Sequence, residues 1–406
     1  MSKLEELIAK LCPNGVGYKP LWSVTIWDKK FNSIERHKQN RVITYLYLLA
    51  KNLFALEDAD GDVFLLSTGE QTGWTTEEKA GEFLCKGEVV TIPWGKSRPV
   101  KDIIKYYCGK FVTADNRIAT SSNTQNLSNK YLYYWMVSQG DTIDSFYRGS
   151  GIKHPDMKKV LEMKIPLPPL EVQEEIVRIL DKFTELTAEL TAELTARKKQ
   201  YEFYRDKLLK GNKDSYKIMQ LGEIGSVNMC KRIMKADTSA HGEIPFYKIG
   251  TFGKKADAYI SKETFEKYVQ KYPYPKQGDV LISAAGTIGR AIIFDGEPAY
   301  YQDSNIVWLN NEETIILNKY LFYCYQLQPW AVSTGGTIPR LYNDNILKAK
   351  IPVPPLEEQK RIVKILDRFD KLCNDLTEGL PAEIEARKKQ YEYYRDQLLT
   401  FNEIRN

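Results

Sequence analysis

The sequence predicts an α+β protein in which two globular domains are separated by two long helices that form an antiparallel coiled coil, with internal pseudo-two-fold symmetry. Two observations predict this organisation. The segment ARKKQYEFYRDKLL at 196–209 returns as ARKKQYEYYRDQLL at 386–399, with twelve of fourteen positions identical. The stretches before these segments contain short alternating or β-branched runs bounded by Gly, Asn and Asp, a pattern typical of strands and turns.

The repeat extends well beyond the helix. IPLPPLEVQEEIVRILDKF at 165–183 corresponds to IPVPPLEEQKRIVKILDRF at 351–369, displaced by 186 residues. Further toward the front of each half, NKYLYYWMVSQ at 129–139 matches NKYLFYCYQLQ at 318–328. A solenoid would use several short units of roughly 20–50 residues. Two units of nearly two hundred residues indicate instead two comparable domains around an approximate two-fold axis.

Composition and charge set the broad class. The chain has 406 residues, 43% hydrophobic and 27% charged, and a net charge of +5. This length favours two or three domains, and the small positive charge permits a nucleic-acid partner without proving one. The six cysteines and three histidines are scattered, so neither a zinc site nor a disulfide framework is expected. Without a signal peptide or long apolar run, the expected location is cytoplasmic, with no membrane partner.

The repeat divides the chain into four segments. We expect globular domains at 1–164 and 213–350, and helical regions at 165–212 and 351–406. Within the domains, the two copies differ over blocks at about 15–160 and 217–345, which we call the variable blocks.

The helical regions carry a heptad seam. Each begins after an Ile-Pro-x-Pro-Pro-Leu stretch, which cannot be helical, near Glu171 or Glu357. The spacing of four and three residues predicts packing against another long helix. The predicted seam consists of Ile176, Leu180, Phe183, Leu190, Leu194, Tyr201 and Tyr204 in the first copy and Ile362, Leu366, Phe369, Leu376, Tyr391 and Tyr394 in the second.

Two local features refine the helices. The second copy contains a stutter flanked by Gly379 and Pro381, so that helix is expected to bend or break there. The first contains ELTAELTAELTA at 185–196, four-residue repeats of good helix formers that suit a spacer of adjustable length. An amphipathic helix lying on its own domain is the alternative, but the length and the strict heptad favour pairing with the twin helix.

Basic and amide side chains recur among the turns of both variable blocks. Arg and Lys bind guanine edges or phosphates, and Asn and Gln pair with adenine. For any single residue a solvated face is the commoner explanation, but their recurrence in both halves favours DNA binding. The candidates are Lys96, Arg98, Arg117, Arg148, Lys153, His154, Lys254, Lys255, Arg290, Gln302, Arg340 and Tyr342.

The sequence contains no recognisable catalytic motif. SAAGTIGRA at 283–291 lacks the Gly-Lys-Ser/Thr ending of a phosphate loop and is better interpreted as a tight turn between strands. Three classes remain: a DNA-reading module without catalysis, an enzyme with an unfamiliar site, and a non-catalytic coiled-coil scaffold. The twin variable blocks favour the first, because a scaffold needs only the constant helices.

Two variable domains, each followed by Ile-Pro-x-Pro-Pro-Leu-x-x-Gln and a helix ending Arg-Lys-Lys-Gln-Tyr-x-x-Tyr-Arg-Asp, resemble the specificity (S) subunit of a type I restriction-modification system. The resemblance covers essentially the whole chain. It implies that each variable block is a target recognition domain for one half of a bipartite, asymmetric site in double-stranded DNA. The helices would position two methyltransferase (M) subunits.

The same resemblance implies a division of labour. This chain would hold no cofactor and perform no catalysis. S-adenosylmethionine would belong to an adenine methyltransferase partner, and ATP and Mg to restriction/translocase (R) subunits that act as motor and nuclease. The alternative is a specificity subunit of a related methyltransferase-nuclease system.

Overall fold

The computed structural model describes residues 2–69, 72–96, 98–211, 216–333 and 339–404, and it has an α+β fold. Its helices are α1 (Lys3–Leu11), α2 (Leu21–Val24), α3 (Ala50–Leu53), α4 (Glu77–Ala80), α5 (Asn129–Ser138), α6 (Gly140–Ser145), α7 (Met157–Glu162), α8 (Leu170–Lys210), α9 (Lys262–Lys271), α10 (Asn318–Gln326), α11 (Asn343–Leu347), α12 (Leu356–Asn374) and α13 (Leu380–Leu398).

The strands are short, as their alternating patterns predict. They are β1 (Gly17–Pro20), β2 (Thr25–Trp27), β3 (Tyr47–Leu48), β4 (Val63–Leu66), β5 (Trp74–Thr75), β6 (Cys85–Pro93), β7 (Lys105–Ala114), β8 (Arg117–Ser122), β9 (Tyr147–Arg148), β10 (His154–Pro155), β11 (Lys164–Leu167), β12 (Lys217–Gln220), β13 (Ser226–Asn228), β14 (Ile244–Tyr247), β15 (Tyr259–Ile260), β16 (Val280–Ser283), β17 (Ala291–Ile293), β18 (Tyr300–Tyr301), β19 (Ile306–Asn310) and β20 (Lys350–Val353).

The chain forms two compact units. Unit 1 comprises residues 1–190 and 384–406, and unit 2 comprises residues 191–383. Each unit therefore combines one variable block with parts of both helical regions, and the units cut across the four segments drawn from the sequence.

The variable block of unit 1 is built on a seven-stranded sheet. Its strand order is β2-β8-β6-β7-β4-β5, and β3 pairs parallel with β7. Strands β6 and β7 pair antiparallel from Cys85↔Phe111 to Thr91↔Lys105. The side chains of Val89 and Phe111 are fully buried, and removal of such apolar surface from water stabilises the block.

The C-terminal tail of the chain lies along the first strand of unit 1. The Val16 N–H donates to the Asn402 carbonyl at 2.9 Å, and the Ile404 N–H donates to the Val16 carbonyl at 3.1 Å. Gly15 lies next to this contact with φ +94°, and a Cβ there would lie 2.3 Å from the Asn402 carbonyl oxygen. Glycine at this position therefore allows the tail to approach.

The variable block of unit 2 has a different sheet arrangement. It contains a four-stranded sheet, β13-β19-β16-β17, and a three-stranded sheet, β15-β14-β18. Strands β16 and β17 pair antiparallel, and residues 284–290 connect them. The interpretation of this segment as a turn between strands is therefore confirmed. Trp308 and Tyr300 fill the core beside these sheets.

The proline-rich segment is anchored in the same way in each unit. In unit 1, the side chain of Gln173 accepts from the Ser128 N–H at 2.9 Å and donates to the Pro168 carbonyl at 2.8 Å. In unit 2, Gln359 accepts from the Leu317 N–H at 2.8 Å and donates to the equivalent proline carbonyl at 2.8 Å. Because both side chains are fully buried, each bond satisfies a group that water cannot reach.

The two helical repeats differ in continuity. The first forms the single 41-residue helix α8, and the second is divided into α12 and α13 by residues 375–379. The predicted interruption is therefore confirmed. Leu376 is a correction to the seam, because α12 ends at Asn374, the following Asp375 is extended, and Leu376 is 81% exposed within the break.

In unit 1, the start of α8 packs with α13. Ile176 and Leu180 are fully buried, and the ring of Phe183 stacks on Tyr394. Tyr391 is half-buried against the same core, and Leu190 is half-buried near the limit of the unit.

In unit 2, the end of α8 packs with α12. Ile362, Leu366 and Tyr201 are buried, and Leu194 packs against the same cluster. Phe369 stacks on Tyr204. Further along, the Tyr216 hydroxyl donates to Glu358 at 3.2 Å. From the Tyr204–Phe369 pair to the Tyr216–Glu358 pair, the residue numbers rise in the first segment and fall in the second. The two segments therefore run antiparallel.

No helix among the described residues is long and apolar enough to cross a membrane. Within the same ranges, no three His, Cys, Asp or Glu side chains are grouped so that they could hold a metal ion.

Candidate nucleic-acid interface

Two segments distant in sequence meet at one end of the unit 1 sheet. The Lys96 N–H donates to the Lys153 carbonyl at 3.2 Å. The hairpin of β9 and β10 sets Arg148 opposite His154, and His154 Nδ1 lies 2.8 Å from the Trp94 carbonyl oxygen. Four of the six first-block candidates are therefore brought together.

These four side chains differ in exposure. Arg148, Lys153 and His154 are exposed, so their charges or ring nitrogens are accessible to a ligand. The Lys96 ammonium is largely buried and pairs with Asp144. Burial opposes ionisation of Asp144, but its hydrogen bonds to Lys96 and to the Val100 N–H hold the pKa of that carboxyl below its ordinary value. Lys96 therefore supports the neighbouring loop as well as adding charge.

Arg98 lies beside a second lysine. Its guanidinium donates to the Thr68 carbonyl at 3.0 Å, and the Lys105 ammonium donates to the Gly69 carbonyl. Burial, with the nearby charge of Arg98, lowers the pKa of Lys105 to about 8. The two cations therefore hold residues 68–69, which follow the end of β4.

The structure contradicts a DNA contact for Arg117. Arg117 is buried, with 1% of the residue exposed, and its Nη1 donates to the Asp28 carboxylate at 2.7 Å. The charge of Arg117 is therefore used inside the domain. This ion pair could not be predicted from the sequence, because the partner carboxylate lies 89 residues away.

Sequence reasoning also missed three residues on this face. Lys29 Nζ lies 5.3 Å from the ring centroids of both Tyr47 and Trp94. The two aromatic residues are 53% and 36% exposed. The only signal in the sequence was Trp94, an aromatic residue next to a predicted strand end. Without the structure, such a residue is weak evidence for a binding surface.

In unit 2, four loops converge. The Ala284 N–H donates to the Asn305 carbonyl, and the Leu341 N–H donates to the Ala284 carbonyl, both at 2.8 Å. The Gln302 side chain accepts from the Ile249 N–H at 2.9 Å. Loops following β14, β16, β18 and the segment before α11 therefore share one surface.

All six second-block candidates lie on these loops. Arg290 Nη1 donates to the Phe252 carbonyl at 2.8 Å, and Arg340 Nη2 donates to the Ser304 carbonyl at 2.6 Å. These half-buried guanidinium groups, like Gln302, connect one loop to the next. The more exposed members of this set are Lys254, Lys255 and Tyr342.

A further exposed cation lies beside this surface. Arg232 pairs with Asp303 at 2.9 Å, and its side chain is 67% exposed. Nothing in its local sequence distinguishes it from other surface arginines. Both surfaces therefore combine cations with exposed aromatic rings, and the unit 2 surface adds the amide of Gln302. Such a composition suits phosphate and base-edge contacts.

Two different binding surfaces within one repeated helical frame define a protein that recognises two elements. The chain belongs to the family of the type I restriction modification DNA specificity domain, which matches residues 49–197 and 213–386. The match thus covers the second variable block, the first variable block from residue 49 onward, and most of both helical regions.

Relatives and solved structures agree with this assignment. A putative type I restriction enzyme specificity subunit of Haemophilus influenzae is 51% identical over 326 residues, covering 78% of this chain and 84% of that protein. The crystal structure of an S subunit of a type I restriction-modification system from M. genitalium matches with TM-score 0.57 and 14% identity, over 95% of this chain and 96% of that one.

A second solved structure concerns complex assembly and conformational transition of the type I R-M system. One of its chains matches with TM-score 0.50 and 18% identity, over 78% of this chain and 82% of that one. At these identities the two structural matches show a shared fold, and the family match carries the assignment.

Proposed function

We propose that this chain is the non-catalytic, DNA-reading subunit of a type I restriction-modification complex, and that each variable block reads one half of a bipartite, asymmetric site. The observation that carries the proposal is the pairing of a constant frame with two different surfaces. The bonds of Gln173 recur at Gln359, whereas the sheets above them differ. A repeated frame that presents unlike surfaces suits two unlike half-sites.

The individual contacts divide by their surroundings. Exposed, flexible cations such as Arg148, Lys153, Lys254 and Lys255 suit phosphates, because phosphate contacts need charge and little fixed geometry. The side chains of Arg290 and Arg340 are held by loop carbonyls and therefore have fixed directions. Hydrogen bonding to a base edge requires such a fixed direction. Arg117 is excluded from the proposal by its burial.

The helical frame would position two methyltransferase subunits. The support is a surface repeated in both units: Phe203 and Tyr393 are each 60% exposed, and each meets its neighbouring tyrosine edge-on at 5.4 Å and 76°. Exposed aromatic residues are common anchors in protein interfaces. A partner that binds both copies equally would use such a constant surface.

The chemistry would lie in the partners. An adenine methyltransferase would use S-adenosylmethionine, and restriction/translocase subunits would use ATP and Mg to move and cut DNA. This chain would recognise the target DNA sequence and act in the cytoplasm. Purified alone, it should show no methyltransferase, nuclease or ATPase activity, and methylation by the isolated chain would contradict the proposal.

The test uses the chain assembled with its methyltransferase. Methylated adenines are mapped by sequencing genomic DNA from cells that express the complex. Alanine substitution of the second-block set should abolish or relax recognition of one half-site, while the first half-site serves as an internal control. Unchanged sites and unchanged DNA affinity would refute the assignment of that surface, which consists of Lys254, Lys255, Arg290, Gln302, Arg340 and Tyr342.

A further inference from the structure

Lys29 is held in an unusual setting for a surface lysine. Its ammonium lies 5.3 Å from the centroids of the Tyr47 and Trp94 rings and donates to the Asp115 carbonyl at 3.2 Å. Cations lying over aromatic faces are attracted by the ring quadrupole. The three side chains, which we call the Lys29 cluster, therefore stabilise one another at the end of the sheet.

The Lys29 cluster rests on a rigid base. Directly before it, Asp28 pairs with the buried Arg117 at 2.7 Å and accepts from the Ala119 N–H at 3.0 Å. Nearby, the Ala50 N–H donates to the Asp115 side chain at 2.9 Å. The position of Lys29 is therefore fixed by strand pairing and by a buried ion pair.

The backbone of Tyr47 is held from another direction. It belongs to β3, which pairs parallel with β7 at Tyr47↔Thr113, and the Asp115 N–H donates to the Leu48 carbonyl at 2.9 Å. Lys29 thus follows β2 whereas Tyr47 belongs to β3, so two different strands of the sheet position their backbones. Fixed geometry of this kind distinguishes base-reading groups from mobile phosphate-binding side chains.

The Lys29 cluster shares its surface with the first-block candidates. The Trp94 carbonyl lies 2.8 Å from His154 Nδ1, and the Trp94 N–H donates to the Asn116 carbonyl at 2.8 Å. The rings of Trp94 and His154 have centroids 5.4 Å apart. A duplex that contacted His154 would therefore lie beside the Lys29 cluster.

The local environment favours a base edge over a phosphate. Burial lowers the pKa of Lys29, the charge of Arg117 acts in the same direction, and the carboxylates of Asp28 and Asp115 only partly oppose it. Part of the hydration of the ammonium has therefore been lost. Large exposed rings flank the Lys29 ammonium, whereas a typical phosphate contact uses an open, solvated charge. Such rings can pack against a thymine methyl group or a sugar.

We propose, on the basis of the DNA-reading function above, that the Lys29 cluster reads a guanine in the major groove of the first half-site. Lys29 donates to the O6 and N7 acceptors of that guanine, and Tyr47 and Trp94 pack against the neighbouring nucleotide. Guanine suits a side chain with donors and no acceptor, because it presents two adjacent acceptors in that groove.

The test compares Lys29→Met with Lys10→Met in the complex with its methyltransferase. Lys10 is an exposed lysine on α1 and serves as a matched loss of charge. Methylated sites are sequenced, and affinity is measured on duplexes that vary each position of the first half-site. Lys29→Met should reduce discrimination at one G·C pair by roughly fivefold to a hundredfold, with the other positions, the second half-site and the Lys10→Met sites unchanged.

Two results would overturn the inference. Uniformly weaker binding to all sequences, with a shallower salt dependence, would make Lys29 a phosphate contact. Unchanged discrimination at every position would remove it from the interface. If Lys29→Met lowers the melting temperature of the protein, Trp94→Leu and Tyr47→Leu provide the test instead. Loss of either exposed ring should weaken recognition at the same base pair. Failure of the proposed function would look different, since exchange of the whole first block would then leave the first half-site unchanged.

Discussion

The ring of Phe183 stacks on Tyr394, with centroids 5.6 Å apart and planes inclined by 23°. The same relationship recurs in unit 2, where Phe369 stacks on Tyr204 at 5.8 Å and 25°. Phe183 and Phe369 occupy the same position of the repeat, as do Tyr204 and Tyr394. Each unit is therefore built from the start of one helical repeat and the end of the other.

Phe369→Ala should destabilise unit 2 by about 1–3 kcal/mol, because it removes a half-buried ring together with its stacking contact to Tyr204. Hydrogen exchange of α12 amides and urea unfolding would measure the loss. Phe203→Ala is the matched control, since that ring is 60% exposed, and its effect should stay within about 0.5 kcal/mol. Equal effects of the two substitutions would contradict a packing role for the stacked pair.

Glu175 should contribute a pH-dependent part of the stability of unit 1. Hydrogen bonds from Arg178 at 2.6 Å and Lys3 at 2.9 Å outweigh burial and lower the pKa of Glu175 from 4.5 to about 2. A carboxyl whose pKa is lowered by folding stabilises the fold above its unfolded pKa. This contribution is lost as the pH falls from about 4.5 toward about 2.

The measurement is unfolding free energy against pH for Glu175→Gln. The variant should be less stable at pH 7 and should show a flatter pH dependence in that window, because the amide does not titrate. Glu174→Gln, at an exposed neighbouring position, is the control and should retain the parent profile. A parent-like profile for Glu175→Gln would show that its ion pairs add nothing to stability.

Arg117→Met should destabilise unit 1 by about 3–5 kcal/mol, because it leaves the Asp28 carboxylate buried without its counter-charge. Arg148→Met removes an arginine whose side chain is 67% exposed and should change stability by no more than about 0.5 kcal/mol. Thermal melting of the two variants distinguishes the roles. A stable Arg117→Met protein that had lost a single base preference would restore Arg117 to the DNA interface.

Insertion of a third TAEL after Leu194 tests the spacer. Four helical residues add roughly 6 Å of rise and a net rotation of about 40°, and one base-pair step is about 3.4 Å with about 35° of twist. The insertion point lies close to the limit between the units at 190/191. Sequencing of methylated sites should show both half-sites unchanged and the spacer longer by one base pair, or less commonly two. An active mutant with an unchanged spacer would show that 185–196 does not set the spacing.

The sequence predicted features that depend on neighbouring residues or on the repeat. The continuous helix α8, the break before α13 and the turn at 284–290 all follow from local patterns. The repeat also predicted that both halves share one frame, as the bonds of Gln173 and Gln359 show.

Features that depend on distant residues were not predictable. Arg117 looks like a surface cation until its strand pairing sets it beside Asp28, and Lys29 gains its ring partners from β3 and the end of β6. Leu376 continues the heptad in sequence, but the backbone leaves the helix there. In each case a tertiary contact or backbone break outweighs the local pattern.

In the most informative experiment, residues 15–160 are replaced with the corresponding block of another family member. The hybrid is expressed with its methyltransferase, and methylated sites are sequenced beside those of the parent. One half-site should change to that of the donor, while the other half-site and the spacer are retained. A hybrid with both half-sites altered, or an active hybrid with neither altered, would contradict the central claim that each variable block reads its own half-site.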